Sequence, residues 1–421
     1  MKASVFLIIP LLIFMFIVDL YTYRGLKPLI NKIKPEFIRK LLKQLYWSIS
    51  LGIFAAFVLF FFRIKYVQRA EAYVYFSYLI GAFALFYIPK FVLILFVLLK
   101  DVQKAVSWLI GALTNVKKEK KFESKTKRKM ERSEFLYQMG LIMAAIPFAS
   151  ILYGVTKGKF EFRIIRESLN FPNLPKAFQG LRIVQISDMH LGSFNKNFEK
   201  IEKAVELINE QNPDIILFTG DLVNNFAEET DGWAPILDKM EAPMGKYSIL
   251  GNHDYGDYSH WSSPEEKAEN LKRIKDFHKE MGFKLLLNET ERLKINDDEI
   301  ALIGVENWGK PPFPQHGNLD LAMKNTNDLP FKLLMSHDPS HWDEKVLDTD
   351  IDLTFAGHTH GMQFGIERAG IKWSPVQYKY PRWGGLYNEG KQFIYVNRGF
   401  GYIGFPGRIG MPPEITLIEL N

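Results

Sequence analysis

Residues 184–192, VQISDMHLG, end a hydrophobic run with a carboxylate, Asp188, and an imidazole, His190, two positions apart. At strand spacing both side chains lean to the same side, at the carboxyl end of a strand, where open α/β sheets place their ligands. Such a pair suits a metal ion, and it also suits a turn aspartate beside a surface histidine. Four further stretches bear on the choice. FTGDLV carries Asp221, LGNHD carries Asn252 and His253, LMSHD carries His337, and FAGHTH carries His358 and His360. Each follows a short run of β-branched and apolar residues that reads as a buried parallel strand, and each sets its polar residue just beyond that run. Five strand ends therefore converge on one edge. Of the nine histidines in the chain, His190, His253, His337, His358 and His360 all stand in these stretches, which scattered surface histidines do not explain.

The ordered set D-x-H, G-D, G-N-H-D, H and G-H-x-H resembles the calcineurin-like metallophosphoesterase superfamily. The tail NRGFGYIGFPGRIGMPPEITLIEL is similar to that of its bacterial membrane-associated branch. The likeness spans roughly the C-terminal two-thirds of the chain. It implies an α/β fold of two central mixed β-sheets flanked by helices, a four-layer α/β/β/α sandwich. It also implies a dinuclear centre in which Asp188, His190 and His360 hold one metal, Asn252, His337 and His358 hold the other, and Asp221 bridges both. Two metals ~3.5–4 Å apart make hydroxide at neutral pH and clamp the charge that develops on a phosphoester. His253 matches the family's histidine that reaches the phosphoryl group and protonates or orients the leaving oxygen; support of the metal ligands from behind is its alternative role. Many relatives steady this histidine with an aspartate three positions after the bridging one. Here that position is Asn224, which still accepts a hydrogen bond but stabilises an imidazolium less. No arginine follows, which sets the chain apart from the protein-serine/threonine phosphatase branch. In the tail, Arg398 and Arg408 are candidates to meet a second phosphate or head group, or else to pair with surface acids. The loop Tyr255–Trp261, YGDYSHW, reads as a substrate rim or as aromatic packing under a loop.

At 421 residues the chain is long for one domain and uneven in composition, so two regions are expected, 1–155 and 156–421. The absence of cysteine excludes a disulfide scaffold and thiolate ligands. Carboxylate, amide and imidazole remain, a donor set for Mn, Fe or Zn. The formal charge of +6 arises from basic residues clustered between hydrophobic spans, where they mark topology, and no nucleic-acid polymer is expected as a partner. Four apolar stretches, 3–23, 45–62, 72–99 and 135–155, are each long enough to cross a hydrocarbon core of ~30 Å. Lys and Arg favour the cytoplasmic side. The first loop holds Arg24, Lys27, Lys32, Lys34, Arg39, Lys40 and Lys43 against Glu36, and the third holds a denser basic run from Lys117 to Arg132. Both loops should lie inside, which puts the domain after the fourth span on the outer face of the cell membrane.

Asp19 and Lys90 fall at similar depth within otherwise apolar spans. An ionised side chain in hydrocarbon costs at least ~2.5–3.5 kcal/mol on insertion scales, so the two either pair or mark a polar pocket. Alternatively, Lys90 snorkels to the interface and Asp19 merely ends its helix. In the second region an edge strand is expected within FEFRII. A βαβ crossover is expected through Phe198, Ile201, Val205 and Ile208, and a helix from Glu265 to Met281 opening at Pro264. The leading expectation for function is a multi-pass membrane phosphohydrolase that cleaves phosphoester or pyrophosphate bonds with a metal-activated hydroxide. Its substrate would be a phosphorylated small molecule or a lipid-linked phosphate met among membrane lipid. The alternatives are a phosphodiesterase of soluble nucleotides and a non-catalytic membrane sensor or scaffold that keeps the fold.

Overall fold

The computed structural model describes residues 2–63, 69–114, 132–368 and 370–421. Two compact units emerge, one of Met1–Val67 with Tyr78–Tyr153, the other of Gln68–Ser77 with Gly154–Asn421. The third-loop basic run that begins at Lys117 falls outside the described residues except for Arg132 at its end.

The first unit is built from α1 (Lys2–Asn31), α2 (Glu36–Arg63), most of α3 (Arg69–Thr114) and α4 (Arg132–Thr156). All four contain windows long and apolar enough to cross a bilayer. The third differs from expectation: the helix that carries its apolar window, Arg69–Leu113, has 45 residues, or ~68 Å at ~1.5 Å per residue, about twice a hydrocarbon core. Pro89 lies inside this helix without ending it, because neighbouring helices in a bundle can satisfy the freed carbonyl. The packing is inverted relative to a water-soluble bundle. In α1 the large apolar side chains Ile9, Ile13, Phe16 and Ile17 are exposed while Asp19 and Thr22 are buried, the arrangement that a hydrocarbon solvent selects.

Buried among Met15, Val18, Ile53, Phe57 and Tyr87 is a polar knot. Lys90 Nζ lies 2.5 Å from Asp19 Oδ1 and donates to Ser50 Oγ at 3.0 Å. The Asp19 carboxylate also accepts from the hydroxyls of Ser50 at 2.9 Å and Tyr87 at 2.9 Å. The Tyr87 ring sits 4.3 Å from the ammonium. The pair therefore forms, and Lys90 does not snorkel. Removing one partner of a buried ion pair typically costs ~3–5 kcal/mol, since the other charge is left uncompensated. Asp19→Lys and Lys90→Asp should each lower the unfolding midpoint of the detergent-solubilised chain sharply, and the double exchange should regain at least half the loss. A double variant no better than the singles would show that the hydroxyls, and not the opposite charge, hold each group.

The second unit begins with β1 (Arg163–Leu169) and β2 (Leu181–Ile186), then α5 (Phe198–Asn209), β3 (Ile215–Phe218), the short α6 (Ala234–Leu237) and β4 (Lys246–Ser248). Helix α7 (Pro264–Glu280) leads to β5 (Lys284–Leu285), β6 (Glu289–Ile295) and β7 (Asp298–Gly304), and α8 (Leu319–Ala322) to β8 (Lys332–Met335) and β9 (Leu353–Ala356). A ribbon of β10 (Ile366–Arg368) and β11 (Ile371–Trp373) precedes β12 (Gly385–Glu389), β13 (Gln392–Val396) and β14 (Glu414–Leu420). The strands form two six-stranded mixed sheets, ordered β1-β14-β2-β3-β4-β5 and β12-β13-β9-β8-β7-β6. Alternation assigns the faces. Ile183, Ile215 and Leu217 of the first sheet meet Leu302, Leu333, Met335 and Phe355 of the second in a shared core. On the opposite face of the first sheet, Val184, Ile186, Ile216 and Phe218 pack under Ile201, Val205 and Ile208 of α5 and Ile274 and Phe277 of α7. Behind the second sheet, Ile303, Leu334 and Val396 meet Leu319, Trp342 and Val346. The order is α/β/β/α. Helix α7 starts where expected because Ser263 caps it, accepting from the Glu266 N–H at 3.2 Å, with Pro264 in the first turn.

Candidate metal centre

Strands β2, β3, β4, β8 and β9 all run parallel to a neighbour within their sheets. Their carboxyl ends deliver Asp188, Asp221, Asn252, His337 and His358 to one edge. The backbone there is bent in a way the sequence does not announce. Asp188 (φ 53°), His190 (φ 46°), Asp221 (φ 60°), His358 (φ 70°) and His360 (φ 51°) are all left-handed, a region that a non-glycine residue occupies at a cost on the order of 1–3 kcal/mol. The turn swings each side chain back over the sheet edge. The approach is also close: a Cβ on Gly357 would strike Ser187 Oγ and the Asp188 carboxylate, and one on Gly251 would strike Asp221.

Two groups of donors result, Asp188 with His190 and His360, and Asp221 with His337 and His358, each with its candidate ligand atoms within 4.8 Å of one another. In the first, His360 Nε2 is 3.2 Å from Asp188 Oδ1 and 3.0 Å from His190 Nε2. In the second, Asn252 Oδ1 lies 3.1 Å from His337 Nε2 and 2.8 Å from His358 Nδ1. Asp221 stands between them, its Oδ2 3.1 Å from His337 Nε2 and 3.7 Å from His190 Nε2. Oxygen and imidazole donors crowded this closely, two ring nitrogens facing each other across 3.0 Å beside a carboxylate, form an arrangement that divalent cations satisfy.

The far side of each imidazole fixes its orientation. His337 Nδ1 meets the Thr219 carbonyl at 2.7 Å and His190 Nδ1 the Val223 carbonyl at 3.2 Å, so both turn Nε2 inward. His358 is reversed, with Nδ1 inward and Nε2 2.8 Å from the Tyr380 hydroxyl and 3.5 Å from Asp338 Oδ2. Behind His360 Nδ1 lies the Arg408 guanidinium at 3.2 Å. Burial opposes charge on both His337 and Asp221, yet their mutual attraction prevails. Asp221 is held well below the usual carboxylate range and His337 is raised to about 10.

His253 donates its backbone N–H to Asp221 Oδ1 at 2.8 Å, and its ring lies 5.1 Å from that of His190. Its Nδ1 meets Asn224 at 2.7 Å, but at the backbone carbonyl; the Asn224 side chain instead accepts from Ser193 Oγ at 3.2 Å. The expected side-chain contact is thus corrected: a main-chain group orients the imidazole, and the change from aspartate at 224 leaves that bond intact. Burial draws the His253 pKa below the ordinary histidine value, against the pull of Asp221.

Of the two readings open to Arg398 and Arg408, the contacts favour engagement within the chain. Arg398 donates to Glu414 at 3.0 Å and Glu367 at 2.9 Å, while buried Arg408 donates to the carbonyls of Gly401 at 2.7 Å and Arg398 at 2.9 Å. Both guanidiniums are engaged inside the domain, tying the tail to the centre. The loop 255–261 is mostly packing, with Tyr255 stacked on His316 at 4.2 Å, but Tyr258 reaches the site: its hydroxyl accepts from Asn252 Nδ2 at 2.9 Å. Asp254 escaped the sequence reading altogether. Its carboxylate accepts from the backbone N–H groups of Gly251 at 2.8 Å, Asp221 at 3.0 Å and Leu222 at 2.8 Å, clamping two strand ends together. Burial, with the neighbouring Asp221 charge, pushes its pKa up to about 7. The D of GNHD was its only trace.

Two families match the chain, one described as calcineurin-like phosphoesterase over residues 181–362 and one as a probable calcineurin-like phosphoesterase transmembrane domain over residues 3–159. An uncharacterized metallophosphoesterase, YkuE, of Bacillus subtilis is 31% identical over 70% of this chain and 99% of its own length. A transmembrane protein with metallophosphoesterase domain from Danio rerio is 28% identical over 67% of this chain and 62% of its own. Among solved structures, a phosphopantetheinyl hydrolase from Mycobacterium tuberculosis covers 54% of this chain and 91% of its own at 10% identity, with a TM-score of 0.31. The chain belongs to the calcineurin-like metallophosphoesterase family, as a membrane-embedded hydrolase of phosphoester bonds.

Proposed function

We propose that Asp188, His190 and His360 hold one divalent ion, that Asn252, His337 and His358 hold a second, and that Asp221 is shared by both. The observation that carries this reading is the Asp221 carboxylate, lying within 3.7 Å of a histidine from each group. A pair of Mn, Fe or Zn ions supplies Lewis-acid charge and lowers the pKa of water at such a site. The residues do the rest. Asp188 and Asp221 compensate the positive charge, while the Thr219 and Val223 carbonyls keep two imidazoles aimed inward. With Nδ1 committed to the Asn224 carbonyl, His253 has Nε2 available to hold a proton at the leaving oxygen.

The substrate class in this reading is a phosphorylated small molecule or lipid-linked phosphate, and the domain works on the outer face of the cell membrane. Four apolar helices where one would tether support a substrate met at the bilayer. The basic stretch from Arg24 to Lys43, where the first two helices meet, supports the orientation. The test uses the full chain in detergent with bis(p-nitrophenyl) phosphate. Hydrolysis should vanish on chelation and return with one of the three metals, and a rate indifferent to chelation would overturn the reading. An impermeant label on intact cells should reach the second unit, and labelling only after lysis would reverse the orientation.

A further inference from the structure

Beside His358 the domain holds a cavity of about 270 Å³ that the proposed centre does not use. Tyr380 is the wall between the two. Its hydroxyl meets His358 Nε2 at 2.8 Å, and the same residue lines the cavity. Phe313, also in the lining, stands edge-on to the His358 ring with centroids 5.0 Å apart. A group in the cavity is therefore one side chain away from a candidate metal ligand.

The charges in the lining are Lys310, Lys379 and Arg382 against Asp343. Two of the cations are already engaged. Arg382 bonds Asp343 at 2.9 Å and Glu389 at 2.9 Å and covers the Trp342 ring at 4.5 Å. Lys310 lies 2.7 Å from Glu344. Lys379 differs, for its ammonium rests 4.9 Å from the Phe313 centroid and 5.3 Å from that of Tyr380, with no carboxylate at ion-pair distance among the described residues. Aromatic faces attract a cation without forming an ion pair, so Lys379 stays available to an incoming anion. The cavity also exceeds what one phosphoryl group fills.

We propose that this cavity is a substrate subsite that takes a second anionic group, carried by the substrate beyond the scissile phosphoryl, with Lys379 as its counter-charge and Phe313 and Tyr380 framing the link. The proposal rests on the phosphohydrolase reading of the adjacent centre and deepens it: the favoured substrate is a diphosphate rather than a lone ester. A lipid diphosphate and a soluble nucleotide diphosphate present this chemistry equally, so the test carries both.

The full chain in detergent, loaded with the metal that supports turnover, is assayed on bis(p-nitrophenyl) phosphate, which lacks a second anionic group, on farnesyl diphosphate and on ADP. The deciding quantity is the ratio of each diphosphate's kcat/KM to that of the diester. In Lys379→Ala this ratio should fall about 10–100-fold, chiefly through KM, as expected for loss of a charge-assisted hydrogen bond, and Lys379→Arg should restore most of it. A fall confined to farnesyl diphosphate assigns the lipid source, and one confined to ADP the soluble source. Lys379 is exposed, so folding is not at stake. An unchanged ratio for both diphosphates overturns the subsite, as does a wild-type chain that cleaves the diester and neither diphosphate. A wild-type chain that cleaves none of the three overturns the phosphohydrolase reading instead.

Discussion

Asp221→Asn should leave a folded chain with fewer than two bound metals and a kcat/KM reduced on the order of 10³ or more, since two dications at close range depend on several kcal/mol of charge stabilisation. The volume barely changes, and Asp221 is buried, so the expected loss is electrostatic. Its Oδ1 accepts the His253 backbone N–H at 2.8 Å, a bond an amide oxygen can keep. Its Oδ2 faces His337 and His190 at 3.1 and 3.7 Å, and there an amide would present N–H groups where a cation is to sit. Elemental analysis beside steady-state assay reads both effects. Two metals per chain with undiminished turnover would end the assignment of a shared carboxylate.

His253→Ala should separate what Asp221→Asn joins. The imidazole is tied to the Asn224 carbonyl and is not among the two donor groups, so metal content should survive while turnover falls ~10²–10⁴-fold, the range for a lost general acid. The loss should depend on the leaving group, small for p-nitrophenolate, which departs unaided, and large for an alkyl ester. Equal losses on both would assign His253 a role in holding the site rather than in moving a proton.

The site was legible because its chemistry demands polar residues immediately after apolar strands, a contrast that survives in one dimension. Asp188, Asp221, Asn252, His337 and His358 are each announced by the run before them. What surrounds them is not announced. Tyr380 and Asp338 act on the remote nitrogen of His358 from separate loops, and no spacing rule links position 380 to 358. Arg408 looked like an anion ligand because sequence shows a charge without its partners; four carbonyl and imidazole contacts account for it. The central strands were readable as apolar runs, Ile215–Phe218 being buried throughout. β6, ETERLKI, buries little beyond Leu293 and so carries no such signal. α3 outruns the expected span 72–99, reaching Thr114, because helix propensity continues past the point where hydrophobicity falls.

The left-handed backbone at five candidate ligands has an evolutionary consequence. At Asp188, His190, Asp221, His358 and His360 the conformation is one that glycine adopts freely, so the replacement most favourable to the backbone at each position is also one that deletes a donor. The backbone preference therefore pulls directly away from catalysis at this edge of the sheet. A relative that had abandoned chemistry would be expected to admit glycine at these five positions, each exchange relieving on the order of 1–3 kcal/mol of backbone strain.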